Sequence, residues 1–210
     1  MDTIYKSDTK RVFLTFDDGP SPVTSKILDI LKQENVKATF FILGSNVDSR
    51  KDVVKRMYEE GHYLANHGYS HTYSKIYSSP QSVLDEYNEC NDKLKNAIEV
   101  PDYNSHLFRF PGGLAGGKYA EIKKEAKELL LQNNIVNVDW NALTGDAETN
   151  NLSVEFEMTR LTETMGSKNS LVILMHDAAA KSVTADALPQ IIAKLKEEGY
   201  EFKNFYDIIK

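Results

Sequence analysis

Val12-Phe13-Leu14-Thr15-Phe16-Asp17-Asp18-Gly19-Pro20 carries an apolar, β-rich run directly into two adjacent carboxylates and a Gly-Pro stop. The apolar part reads as a buried strand, and Gly-Pro interrupts it. The same character recurs at Ala38–Leu43, Leu107–Phe110, Ile135–Val138 and Leu171–Met175, and more weakly at His62–Ala65 and Tyr200–Phe205. Between these runs the apolar period lengthens. Ile27, Leu28 and Leu31 share one helical face; Val53, Val54 and Met57 share another. Tyr119, Ile122, Ala126, Leu129 and Leu130 form a third, and Leu188, Ile191, Ile192 and Leu195 a fourth. Gly61 and Gly199 each follow Glu-Glu and read as helix stops. Alternating strands and helices predict an α/β protein, a parallel sheet covered by helices. About seven such units come close to a (β/α) barrel, with a doubly wound open sheet as the alternative.

The 210 residues suit one domain over 1–210, with room for a sizeable core. The formal charge of −6 argues against general nucleic-acid binding, which needs a basic surface for phosphates. The sole cysteine, Cys90, excludes an intrachain disulfide, and its helical setting reads as a semi-buried thiol. No apolar run reaches the roughly 18 residues of a bilayer span. Met1–Lys10 lacks the apolar core of a secretory leader. The expectation is a protein that stays inside the cell, or one whose leader or anchor lies outside this sequence.

Five segments carry chemistry. Asp17 and Asp18 follow a strand, where α/β proteins gather their sites; a plain Asp-Gly turn is the bland alternative. Two desolvated neighbouring acids raise each other's pKa, and a metal on one frees the other to act as a base. In Asn66-His67-Gly68-Tyr69-Ser70-His71, two histidines four apart share a face if the chain is helical there, and can grip one metal. Two His and one Asp leave metal positions open for water activation. The same set also suits a non-haem iron oxygenase, although there the carboxylate usually lies very near the first His. His176 ends an apolar strand and suits a general acid. Arg109, in Phe108-Arg109-Phe110-Pro111-Gly112-Gly113, can hold a carboxylate ionised, and Gly112 and Gly113 permit close backbone approach. Asp139-Trp140 holds the only Trp, either a core residue or a pocket wall. His62 and His106 lack such partners and read as structural.

Together these segments, spread from Arg11 to about Ile208, resemble the NodB-homology polysaccharide deacetylases, carbohydrate esterase family four. The resemblance implies a distorted (β/α) barrel with a divalent metal, zinc first, with cobalt or nickel as alternatives. It implies Asp17 as catalytic base, Asp18, His67 and His71 as metal ligands, and Arg109 as the residue that orients the base. Asp139 would tune the catalytic acid His176, while Trp140 and Leu174 would line the acetyl pocket. Where the family often has an aromatic after Arg-x-Pro, this chain has Gly112, whose N–H can still serve an oxyanion. The implied substrate is an N-acetylglucosamine-containing polysaccharide, peptidoglycan or chitin-like. An acetylxylan esterase or an inactive carbohydrate-binding homologue are the alternatives. Such polymers imply an extracellular or surface location.

Overall fold

The computed structural model describes residues 2–209. Its elements run β1 (Arg11–Asp17), α1 (Pro22–Gln33), β2 (Thr39–Ile42), α2 (Gly44–Val47), α3 (Lys51–Glu59), β3 (Tyr63–Asn66), α4 (Tyr73–Ile76), α5 (Pro80–Ile98) and β4 (Leu107–Phe108). There follow α6 (Ala120–Gln132), β5 (Val136–Asn137), β6 (Ala142–Leu143), α7 (Val154–Met165), β7 (Ser170–His176), α8 (Ser182–Glu197) and β8 (Glu201–Lys203). Every strand pairing is parallel, in the order β5-β4-β3-β2-β1-β7-β6, with β8 beside the start of β1. No pairing joins β5 to β6 among the described residues, so the curved sheet is a distorted, open barrel.

Side chains of one strand alternate between its two faces, and here the faces have different fates. Val12, Leu14 and Phe16 of β1, with Phe40, Ile42, Leu64, Leu171, Ile173 and Met175, point outward under the helices. Phe13, Phe41, Tyr63, Ala65, Leu107 and Val172 point inward, and Phe205 closes the bottom by stacking on Phe13 at 5.1 Å. Being covered on both faces explains why β1 and β7 read as unbroken apolar runs. The inward face turns polar at its upper end, where Thr15 and Asp17 follow Phe13. The β1–β7 register sets Thr15 against Leu174 and Asp17 against His176.

The strands follow the expected runs but are trimmed. At β4 and β5 only two residues each keep ladder geometry, and pairing continues as single bonds such as Arg109 N–H to the Asn66 carbonyl at 3.0 Å. The short β6 carries too few residues to show a period in sequence; its pairing with β7 defines it.

Candidate metal centre and catalytic site

Asp18, His67 and His71 meet at the upper end of the barrel, one ligand atom of each lying within 4.8 Å of the others. The Nε2 atoms of His67 and His71 stand 3.6 and 3.5 Å from Asp18 Oδ1. The helical condition for the two histidines to share a face is not met: the 67–71 segment is a loop, with Gly68 at φ 84° and His71 at φ 53°, and the loop itself brings the rings together. Asp18 is left-handed too, at φ 76°, a costly conformation for a residue with a Cβ, and one that tends to persist at functional sites. The loop is held by Glu86 of α5, whose buried carboxylate accepts the Tyr69 and Ser70 N–H groups at 2.8 and 2.7 Å. The DDGP turn is braced by Asp177. Its carboxylate accepts the Thr24 hydroxyl at 2.5 Å and fills the space beside Gly19, where a Cβ would lie 2.0 Å from it.

The donor set fits a divalent cation. Asp18 Oδ1 is buried without a hydrogen-bond partner, a cost that a cation would relieve. His67 Nδ1 faces the Arg109 carbonyl at 2.8 Å; donating there leaves Nε2 as a lone pair towards the other two donors. Burial pushes the His67 imidazole down to about 3, so it stays in the neutral, ligating form.

Two carboxylate–cation pairs flank this cluster. On one side Arg109, fully buried, donates from Nη1 to Asp17 Oδ1 and to Thr15 Oγ1, both at 2.8 Å. Its Nε and Nη2 donate to the Val138 and Asp139 carbonyls at 2.9 and 3.0 Å, and it stacks on Phe41. Burial raises the Asp17 carboxyl above its ordinary value, with Arg109 pulling it partly back. On the other side, His176 Nδ1 bonds Asp146 Oδ1 at 2.8 Å, and the His176 N–H donates to Asp146 Oδ2 at 2.7 Å. Burial opposes the imidazolium, but the bond to Asp146, its charge and those of Asp17 and Asp18 lift His176 to about 9. Behind Asp146, the Thr184 hydroxyl lies 3.1 Å from Asp146 and 3.2 Å from Glu157.

Asp139 is therefore not the partner of His176, which corrects the sequence-based expectation. Its carboxylate accepts the Leu114 N–H at 3.2 Å, and its carbonyl holds Arg109. Asp146 takes the place instead, because β6 and the loop after it lie against β7. Nothing in Thr144-Gly145-Asp146-Ala147 marks this beforehand; the only cue is an acid shortly after an apolar stretch. Trp140 is half-buried against the inner core cluster, 5.7 Å from Arg109 and beside Gly113. Leu174, nearly buried, lies two residues before His176 on the same strand face. Gly112 is left-handed at φ 74°, and a Cβ there would meet Tyr73 Oη at 2.5 Å. The Tyr73 ring, 5.6 Å from His71, fills that space. Of the other histidines, His62 is buried and accepts the Ala38 N–H at 3.1 Å, while His106 faces the Asn134 carbonyl; both are structural.

A parallel open barrel with an Asp-His-His cluster between a buried acid and a charged histidine defines a hydrolase-like site of the polysaccharide deacetylase type. The comparisons agree: the family described as Polysaccharide deacetylase matches residues 5–132. The chain belongs to this family of hydrolases, the NodB-homology group or carbohydrate esterase family four. It is 38% identical to a putative polysaccharide deacetylase, YheN, of Bacillus subtilis, over 92% of this chain and 66% of that protein. It is 34% identical to a peptidoglycan-N-acetylglucosamine deacetylase of Bacillus cereus, over 95% of this chain and 71% of that protein. The structure of a Streptococcus mutans carbohydrate esterase of family four superposes with a TM-score of 0.88 at 35% identity, covering 97% of this chain and 90% of that one. The chain thus spans about two thirds of the length of the first two relatives.

Proposed function

We propose that this protein removes N-acetyl groups from an N-acetylglucosamine-containing polysaccharide, with peptidoglycan the favoured polymer. The observation that carries the reading is the placement of Asp17–Arg109 and Asp146–His176 on either side of one three-donor cluster. Names of the relatives support the substrate class. Asp18, His67 and His71 would hold a divalent ion, zinc as the proposed one, which supplies polarisation of the acetyl carbonyl and a lowered pKa for water. Asp17 takes a proton from the attacking water through Oδ2, since Oδ1 is engaged by Arg109. Arg109 fixes the orientation of that carboxylate. His176, held protonated by Asp146, gives a proton from Nε2 to the departing sugar amine. The Gly112 N–H offers a donor to the developing oxyanion. Leu174 and Trp140 are assigned to the walls beside the acetyl methyl. A site with every one of these positions filled favours an enzyme over an inactive carbohydrate binder. The polymer lies outside the cytoplasm, so a surface or extracellular location belongs to the same reading.

Acetate release from N-acetylglucosamine oligomers, peptidoglycan and acetylated xylan decides it, using protein stripped by chelator and then reloaded with zinc. Release from the amide-linked substrates that vanishes on chelation and returns with zinc is expected. Metal-independent release, or release from xylan alone, overturns the proposal.

A further inference from the structure

The groove beside the candidate metal centre has a cavity of about 450 Å³, lined among others by Asp18, His71, Asn46, Ser49 and Arg50. That volume lies in the range of small-ligand sites. Arg50 is half-buried at the start of α3, and its guanidinium has no ion pair or hydrogen bond among the described residues. Two acids lie two residues away: Asp48 is paired with Lys93 and Lys51, and Asp52 in the first turn of α3 makes no ion pair with Arg50. In a chain of net charge −6, an uncommitted guanidinium in this groove stands against the overall field.

Its position is fixed relative to the metal centre. Asn46 Nδ2 donates to the Asp18 carbonyl at 2.9 Å. The Gly44 and Ser45 N–H groups donate to the Gly68 and Tyr69 carbonyls, each at 3.0 Å. The Ser49 hydroxyl donates to the Asn46 carbonyl at 3.0 Å. The segment that delivers Arg50 is thus tied to both loops that carry the ligand set. Arginine presents a planar fork of donors matched to carboxylate.

We propose that Arg50 forms a subsite for a carboxylate on a sugar neighbouring the one whose acetyl group is removed. The groove thereby selects an anionic glycan over a neutral one. This rests on the deacetylase reading above and sharpens its substrate class. Two sugars bring that chemistry: one bearing a lactyl ether whose carboxyl carries no stem peptide, as on peptide-free stretches of peptidoglycan, and a uronic acid, as in decorated xylan.

The test compares a tetrasaccharide of alternating N-acetylglucosamine and lactyl-ether sugars, its carboxamide derivative, neutral chitotetraose and a glucuronate-bearing acetylated xylotetraose. The zinc-loaded full chain and its Arg50→Ala and Arg50→Lys variants are assayed for kcat/KM of acetate release. Binding of the same four glycans is measured by calorimetry in metal-free Asp17→Asn protein, where turnover is slowest. A preference of about tenfold for carboxylate over carboxamide is expected, weakening with added salt. It should collapse in Arg50→Ala and survive in part in Arg50→Lys. Equal handling of acid and amide by the parent protein overturns the subsite without recourse to any variant. So does a preference that survives intact in Arg50→Ala. The glycan showing the preference identifies which source of carboxylate is read. If no glycan releases acetate, the deacetylase reading falls, and the calorimetric acid–amide difference still decides the role of Arg50.

Discussion

Asp17 and Asp146 are both buried carboxylates, and each holds a cationic side chain at 2.8 Å, yet the proposed mechanism gives them opposite tasks. Asp17 is held by an arginine, which does not release its proton, and only Oδ1 is engaged; Oδ2 looks towards His67 at 3.8 Å. Asp146 is held by a histidine, which does release one, and both of its oxygens are occupied, by the ring, the backbone N–H of His176 and Thr184. The first arrangement leaves an oxygen free to accept a proton. The second leaves none, and turns its carboxylate into a fixed charge that keeps the neighbouring imidazole protonated. On the proposed mechanism, the partner's own acidity and the count of free oxygens separate a base from a support.

The largest effect expected from the proposed mechanism comes from removing either proton-transfer group. Asp17→Asn and His176→Ala are each expected to lower the turnover of acetate release by about 10²–10⁴-fold. Metal analysis of both variants should show zinc retained; loss of metal from either would break the assignment of roles. Next in size, Arg109→Met leaves the Asp17 carboxylate buried without its partner. A cost of about 3–5 kcal/mol is expected in denaturant unfolding, and Asp17→Asn in the same background should recover part of it.

Smaller, and specific to the other pair, is the pH response. The proposed mechanism needs protonated His176, so the basic limb should fall near pH 9 in the parent protein. In Asp146→Asn it should move down towards the ordinary imidazole value of about 6.5. The same pair makes a stability prediction. A folded-state pKa raised above the unfolded value stabilises fully below about pH 6.5 and is lost as pH rises through about 9. Unfolding at pH 6 and at pH 9.5 should therefore show a difference that His176→Ala diminishes. Least of all, Asp139→Asn should leave the basic limb in place, since among the described residues the Asp139 carboxylate accepts a hydrogen bond only from the Leu114 N–H. A shift there as large as that of Asp146→Asn would restore Asp139 as the partner and undo the comparison.

Most of the candidate site is legible in the sequence because each residue ends or follows an apolar run that announces itself. Asp17, Asp18, Arg109 and His176 stand at strand ends, and His67 and His71 lie in a short polar loop after one. Asp146 was not legible. It follows the two-residue β6, and a strand that short leaves no period to read. Glu86 and Asp177 were missed for a related reason. Glu86 sits in a long helix among other charged residues, and Asp177 directly follows the more conspicuous His176; neither betrays that its carboxylate is buried.

By itself, the order of the residues determined which segments become buried strands, because an apolar run covered on both faces has no other stable place. It also determined which polar groups those strands deliver to their ends. Only the tertiary structure decided which acid stands behind His176, which carboxylate holds the His67–His71 loop, and that Arg50 faces the same groove as Asp18 and His71. Those pairings join positions far apart in the chain. They depend on the register of β1 with β7 and on how the connecting loops cross the open top of the barrel, distances that a linear pattern does not encode.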